Sequence, residues 1–130
     1  MSSRGAVAKN GRIMDEEYET INILQHNEKI IEGIGRNHSM PDYSHSANAV
    51  YIIYKKGVFH AMRIYGNNHI PIIEIAYHPE PNLNNGDRLH SIWHMHFYLP
   101  GLDRQDPEFI SNEVKKKYKD YLEDVGYDQW

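Results

Sequence analysis

The sequence predicts an α+β fold, an antiparallel β-sheet of meander type packed against a C-terminal α-helix. Three observations carry this. Residues 49–54, 58–65 and 70–77 are rich in β-branched and aromatic side chains and are separated by the tight turns Lys55-Lys56-Gly57 and Gly66-Asn67-Asn68-His69. Residues 89–98 (LHSIWHMHFY) alternate strictly, with Leu89, Ser91, Trp93, Met95 and Phe97 on one side and His90, Ile92, His94, His96 and Tyr98 on the other. Beyond Pro100-Gly101, Val114, Tyr118, Tyr121, Leu122 and Val125 recur at helical spacing, ahead of Gly126 as a stop.

Taken in order, residues 1–15 hold small residues, two glycines and scattered charge without a sustained period, which predicts a flexible N-terminal arm. Residues 16–130 then form a single domain, a length that suits one modest core. Ile21, Ile23 and Leu24 are separated from Ile30, Ile31 and Ile34 by His26-Asn27-Glu28, the pattern of a hairpin; a helix over residues 15–24 is the rival assignment. Residues 36–48 form a long polar loop containing His38, Asp42, Tyr43 and His45. A loop of that length inside a small domain calls for a reason, and a pinned histidine is one.

If Tyr65 pairs with Ile70 across the second turn, Arg63 faces Ile72 and Ala61 faces Glu74. Arg63, Glu74 and His78 then share a face with Phe59, and His60, Met62, Ile64, Ile73 and Ile75 take the other. The turn-rich segment 78–87 delivers the chain to the histidine strand, so His78 should lie beside His94 and His96. Asp106-Pro107-Glu108 reads as the start of the helix. Its lysines, Lys115 to Lys117 and Lys119, read as a solvated side.

Composition narrows the function classes. With no cysteine, disulfides and thiolate metal sites are excluded, so any metal must be held by nitrogen and oxygen. The net charge of -4 argues against direct nucleic-acid binding. No apolar run approaches the roughly 18 residues of a membrane span, and the opening residues lack the hydrophobic centre of a secretory signal, so the expected location is cytoplasmic. Nucleophile elbows, phosphate-cradling loops and HExxH are absent from the sequence.

Nine histidines in 130 residues are the compositional oddity. Two imidazoles two apart on one strand face can converge on one ion, and zinc bound without sulfur takes neutral imidazoles with a carboxylate or water. The expected metal ligands are His45, His78, His94 and His96, with zinc as the cofactor; His38, His90 and Glu74 compete for the later places. A metal-free alternative is acid-base cleavage of RNA, with His45, His94 or His96 as acid and base and Arg63 as the phosphate-binding cation.

The segments HSMPDYSHS (38–46), AVY (49–51), RIY (63–65), IEIAYHP (73–79) and LHSIWHMHFY (89–98) resemble a small His-rich domain of phages and prophages of Gram-positive bacteria. Such domains stand alone or are fused behind minor head proteins. The resemblance covers about the middle half of the chain and is most specific at SHSANAVY (44–51) and at the histidine pair. It implies a phage protein in the cytoplasm of a bacterial host. Stand-alone phage proteins of this size include anti-CRISPR inhibitors, one of them a His-rich zinc protein, whereas some fused relatives are regarded as toxin-like ribonuclease domains. The chain as given has its own start and no head-protein segment, which favours the stand-alone role. The expected function is inhibition of a host defence complex by direct binding, with a type II CRISPR nuclease as the expected partner.

Overall fold

A computed structural model describes residues 8–9, 12–13, 18–33 and 40–127. Two residue pairs, β1 (Ala8–Lys9) and β2 (Arg12–Ile13), form a small antiparallel ladder; the rest of the expected N-terminal arm lies outside the described residues. The body is one seven-stranded sheet in the order β3 (Tyr18–Ile23), β4 (Lys29–Gly33), β5 (Val50–Lys55), β6 (Val58–Tyr65), β7 (Pro71–His78), β8 (Ile92–Leu99) and β9 (Asp103–Arg104).

This architecture corrects the expected α+β antiparallel fold. The sheet is mixed, because β4 and β5 run parallel, with Lys29 opposite Tyr51 and Ile30 opposite Ile52. Strands that run parallel cannot be joined by a tight turn and need a long crossover. That is the physical reason for the polar loop 34–49. Its described part crosses one sheet face, burying Met40 among Tyr18, Ile31, Tyr51, Ile53, Ala61, Tyr65 and Ala76. The Pro41 carbonyl accepts hydrogen bonds from Arg63 Nη1 (3.1 Å) and the Tyr65 hydroxyl.

The single helix is corrected as well. Two six-residue helices, α1 (Asn112–Lys117) and α2 (Lys119–Asp124), meet at Tyr118, so helix is a minor part of the structure. The first starts later than Asp106-Pro107-Glu108 suggests. Glu108 is held in an extended bridge to Met95, exchanging both backbone bonds with it, and Ser111 becomes the cap, accepting from the Val114 N–H at 3.2 Å. The apolar stripe behaves as expected: Val114, Leu122 and Val125 are buried against Ile52, Met62, Ile73, Ile75 and Met95.

The hairpin reading of residues 21–34 holds over its described part, with β3 antiparallel to β4, and the rival helix is excluded. At Lys56-Gly57 both residues have positive φ (54° and 76°), the geometry of a two-residue hairpin whose twist matches its strands.

Two of the register irregularities in this sheet change which side chains meet near the histidines. One lies between Ile64 and Tyr65, so that Tyr65 pairs with Pro71 and Arg63 lies directly opposite Glu74 rather than Ile72. The other lies at Ile53/Tyr54, where Ile53 pairs with Ala61 but Tyr54 with Phe59, leaving His60 as the extra residue. Phe59 therefore joins the helix-side core and stacks on Trp93 at 5.2 Å, and His60 turns to the opposite face, where it stacks on His78 at 4.6 Å. Without that bulge the two rings would not meet.

Candidate metal centre

Strand β8 is the spine of the site. Trp93, Met95 and Phe97 pack into the helix-side core, which forces His94 and His96 onto the other face. Both are buried there, at 0% and 3% exposure, with Arg104, Gln105 and Glu80 against His96 and the His78 ring against His94. Antiparallel pairing with β7 sets Ala76 opposite His94, Glu74 opposite His96 and His78 opposite Ile92. A row of four imidazoles results. Ring centroids are 4.6 Å apart for His60 and His78, 4.6 Å for His78 and His94, and 5.5 Å for His94 and His96.

The hydrogen bonds fix the tautomers. His94 Nδ1–H donates to the Ile92 carbonyl at 3.0 Å, and His96 Nδ1–H to the Gln105 carbonyl at 2.8 Å. Each ring is thus left with a lone pair on Nε2. This is the arrangement by which metal-ligating histidines are oriented from behind. Burial holds both imidazoles below the ordinary imidazole pKa, for His96 with help from the nearby Arg104 guanidinium, which favours the neutral form that ligation requires.

Glu80 supplies the third group. It follows His78-Pro79 directly, and its Oε2 accepts from the Asn82 N–H at 3.2 Å, which leaves Oε1 at 4.0 Å from His96 Nε2. One ligand atom each from Glu80, His94 and His96 lies within 4.8 Å of the others. A tetrahedral ion with bonds of about 2.0 to 2.1 Å places its ligand atoms about 3.3 Å apart, so the three groups supply three corners once they close in and the Arg104 guanidinium, whose Nη2 donates to His96 Nε2 at 2.8 Å, gives way. The fit rests on one orphaned atom. His94 Nε2 is buried with no hydrogen-bond partner, and a buried polar atom normally has one. These three residues can hold a metal ion.

The expected ligands fall in different places. His94 and His96 are in the group. His78 borders it, donating Nδ1–H to the Pro79 carbonyl at 3.0 Å. His45 is exposed on the crossover, and its backbone N–H bonds the Tyr51 hydroxyl. His38 lies outside the described residues, and His90 is exposed and paired with Asp87 at 2.8 Å. Glu80 was not among the expected ligands.

Arg63 is committed elsewhere on the same face. Its Nε and Nη2 donate to Glu74 Oε1 at 2.9 and 2.6 Å, and its guanidinium lies over the Tyr98 ring at 5.2 Å. Burial pushes the Glu74 carboxyl up, but the Arg63 guanidinium outweighs it and holds the carboxyl below its ordinary range.

No family profile, characterised protein or solved structure matches this chain. The chemistry of the site therefore has to speak from its own residues. Nitrogen and carboxylate donors with no sulfur suit a first-row ion such as zinc, and are too rich in imidazole for calcium or magnesium. Among the described residues no helix is long and apolar enough to cross a membrane.

Proposed function

We propose that this is a zinc-stabilised binding protein, with the ion held by His94, His96 and Glu80 and with His78 as the nearest further imidazole. The observation that supports this is the buried, unpartnered Nε2 of His94, aimed among groups that can share a cation. Such an ion would tie the 79–91 loop to β8 and fix the face on which the crossover lies. Near-complete burial of both rings favours a structural role over an open catalytic one.

On this reading the protein acts by occupying a partner. The partner class comes from the resemblance to phage proteins: a host defence complex, most specifically a type II CRISPR nuclease, whose basic nucleic-acid groove an acidic protein of charge -4 can compete for. The ribonuclease alternative draws less support from the geometry, since Arg63 is spent on Glu74 and Pro41 and His45 stands apart from the histidine row.

Two measurements test the proposal. Elemental analysis of protein purified without an affinity tag should find zinc that the His94→Leu variant loses. Added to a type II CRISPR nuclease with its guide, the protein should block target cleavage. Metal-free protein would overturn the zinc part. Unimpeded cleavage, with no co-purification of the two, would overturn the partner.

A further inference from the structure

A second group of ligating side chains stands on the helix-bearing side of the sheet, away from the histidine row. His26 and Glu28 lie in the turn between β3 and β4, and Asp124 is the last residue of α2. One ligand atom from each lies within 4.8 Å of the others. His26 Nδ1 is 2.7 Å from Asp124 Oδ2, and His26 Nε2 is 3.7 Å from Asp120 Oδ2.

Glu28 makes this more than a surface acidic cluster. Its side chain is 0% exposed, its Oε1 accepts the His26 N–H at 2.8 Å, and no donor reaches its buried Oε2. A carboxylate so placed, beside the carboxylate of Asp124, must be neutralised by a proton or by a cation. The Asp124 carboxyl stands close enough to share a hydrogen bond, and with it one proton, with Glu28, and that proton is what a cation would displace. A cleft of about 370 Å³, lined in part by His26, Asn27, Ala49 and Tyr121, opens on the His26 side of the group.

We propose that His26, Glu28 and Asp124 form a second divalent-cation site, with Asp120 at its rim, that clamps α2 to the β3–β4 hairpin. One imidazole with two carboxylates is a donor set for zinc, manganese or a similar first-row ion, and it discriminates against magnesium, which keeps its water and prefers oxygen. The site is independent of the zinc centre on the opposite face.

The test is a zinc titration of chelator-stripped protein, followed by calorimetry and by elemental analysis after gel filtration, in wild type, His94→Leu, Glu28→Gln and the double variant. The expected stoichiometries are two, one, one and none, and a tenfold excess of magnesium should leave them unchanged. Glu28→Gln binding as many ions as wild type overturns the second site. A single ion in wild type that only Glu28→Gln removes supports it while overturning the zinc proposal for His94. A single ion that only His94→Leu removes does the reverse. Should Glu28→Gln lose its native circular dichroism, Asp124→Asn takes its place under the same criteria.

Discussion

Replacing His94 by leucine separates the metal reading from a purely structural one, because the two demand opposite responses. Without metal, His94 costs the fold something: an acceptor buried without a partner is unfavourable by about 1 to 3 kcal/mol. Its Nδ1–H bond to the Ile92 carbonyl returns only about 1 kcal/mol. Leucine removes both terms and keeps most of the packing, so metal-free His94→Leu should be as stable as wild type or up to about 2 kcal/mol more stable. With metal the balance inverts. An ion that binds only the folded state adds about 4 kcal/mol when its free concentration is 1,000-fold above Kd, which for a domain of 130 residues raises Tm by roughly 15 °C. The assay is thermal unfolding by circular dichroism, with and without zinc, in a Glu28→Gln background so that only the histidine-face site reports. The parent should gain most of that rise and the His94→Leu variant little of it. Equal zinc responses, or a metal-free variant destabilised by more than about 3 kcal/mol as for an essential core hydrogen-bonding residue, would refute the reasoning.

Other outcomes follow from the same structure. Arg63→Met leaves Glu74 buried at 5% exposure without its counter-ion and should cost about 3 to 5 kcal/mol in urea unfolding, while the Arg63→Met/Glu74→Leu double variant recovers most of it. His60, lowered to about pKa 4 by burial, then by Lys55 and His78, should stay neutral in NMR titrations to near that pH. Because the unfolded chain takes up that proton first, near pH 6.5, the His60 contribution is complete above about pH 6.5 and is lost as pH falls toward 4. In metal-free protein His60→Gln should flatten that part of the stability profile. Ser111→Ala removes the only side-chain cap of α1 and should cost about 1 kcal/mol, seen as a lower urea midpoint at unchanged slope.

What could be read from the chain depended on how local its cause was. The two faces of β8 follow from alternation within eight residues, so His94 and His96 were legible as a pair, and so was the adjacency of His78 once β7 and β8 were taken as neighbours. Glu80 was not, because an acid in a proline-flanked turn looks like every solvated loop carboxylate. Its signal was position, immediately after the strand that pairs with the histidine strand. The bulge at His60 depends on how β5 and β6 settle against each other, and it swaps Phe59 and His60 between faces with no mark in the sequence. The parallel β4/β5 pair and the break at Tyr118 are tertiary outcomes in the same sense. The cluster of His26, Glu28 and Asp124 joins positions 98 residues apart, beyond the reach of any periodicity.

The last consequence concerns Arg104. Its Nη2 donates to His96 Nε2 at 2.8 Å, the same lone pair that an ion would take. Short β9 puts it there: Tyr98 pairs with Arg104 and Leu99 with Asp103, and the next residue, Gln105, offers its carbonyl to the other nitrogen of the same ring. One segment therefore both orients His96 for ligation and guards its ligating atom. A cation must first break the guanidinium contact and then tolerate a positive neighbour, and hydrogen bonds to charged groups contribute about 1.5 to 3 kcal/mol. Arg104→Ala should accordingly tighten zinc binding by about 10- to 100-fold in a competition against a chelating dye. Asp87→Asn, on the distant exposed His90 pair, should leave it unchanged. If Arg104→Ala weakened binding instead, the guanidinium would be holding Glu80 or His96 in place for the ion, and its contact with Nε2 would be a support for the site.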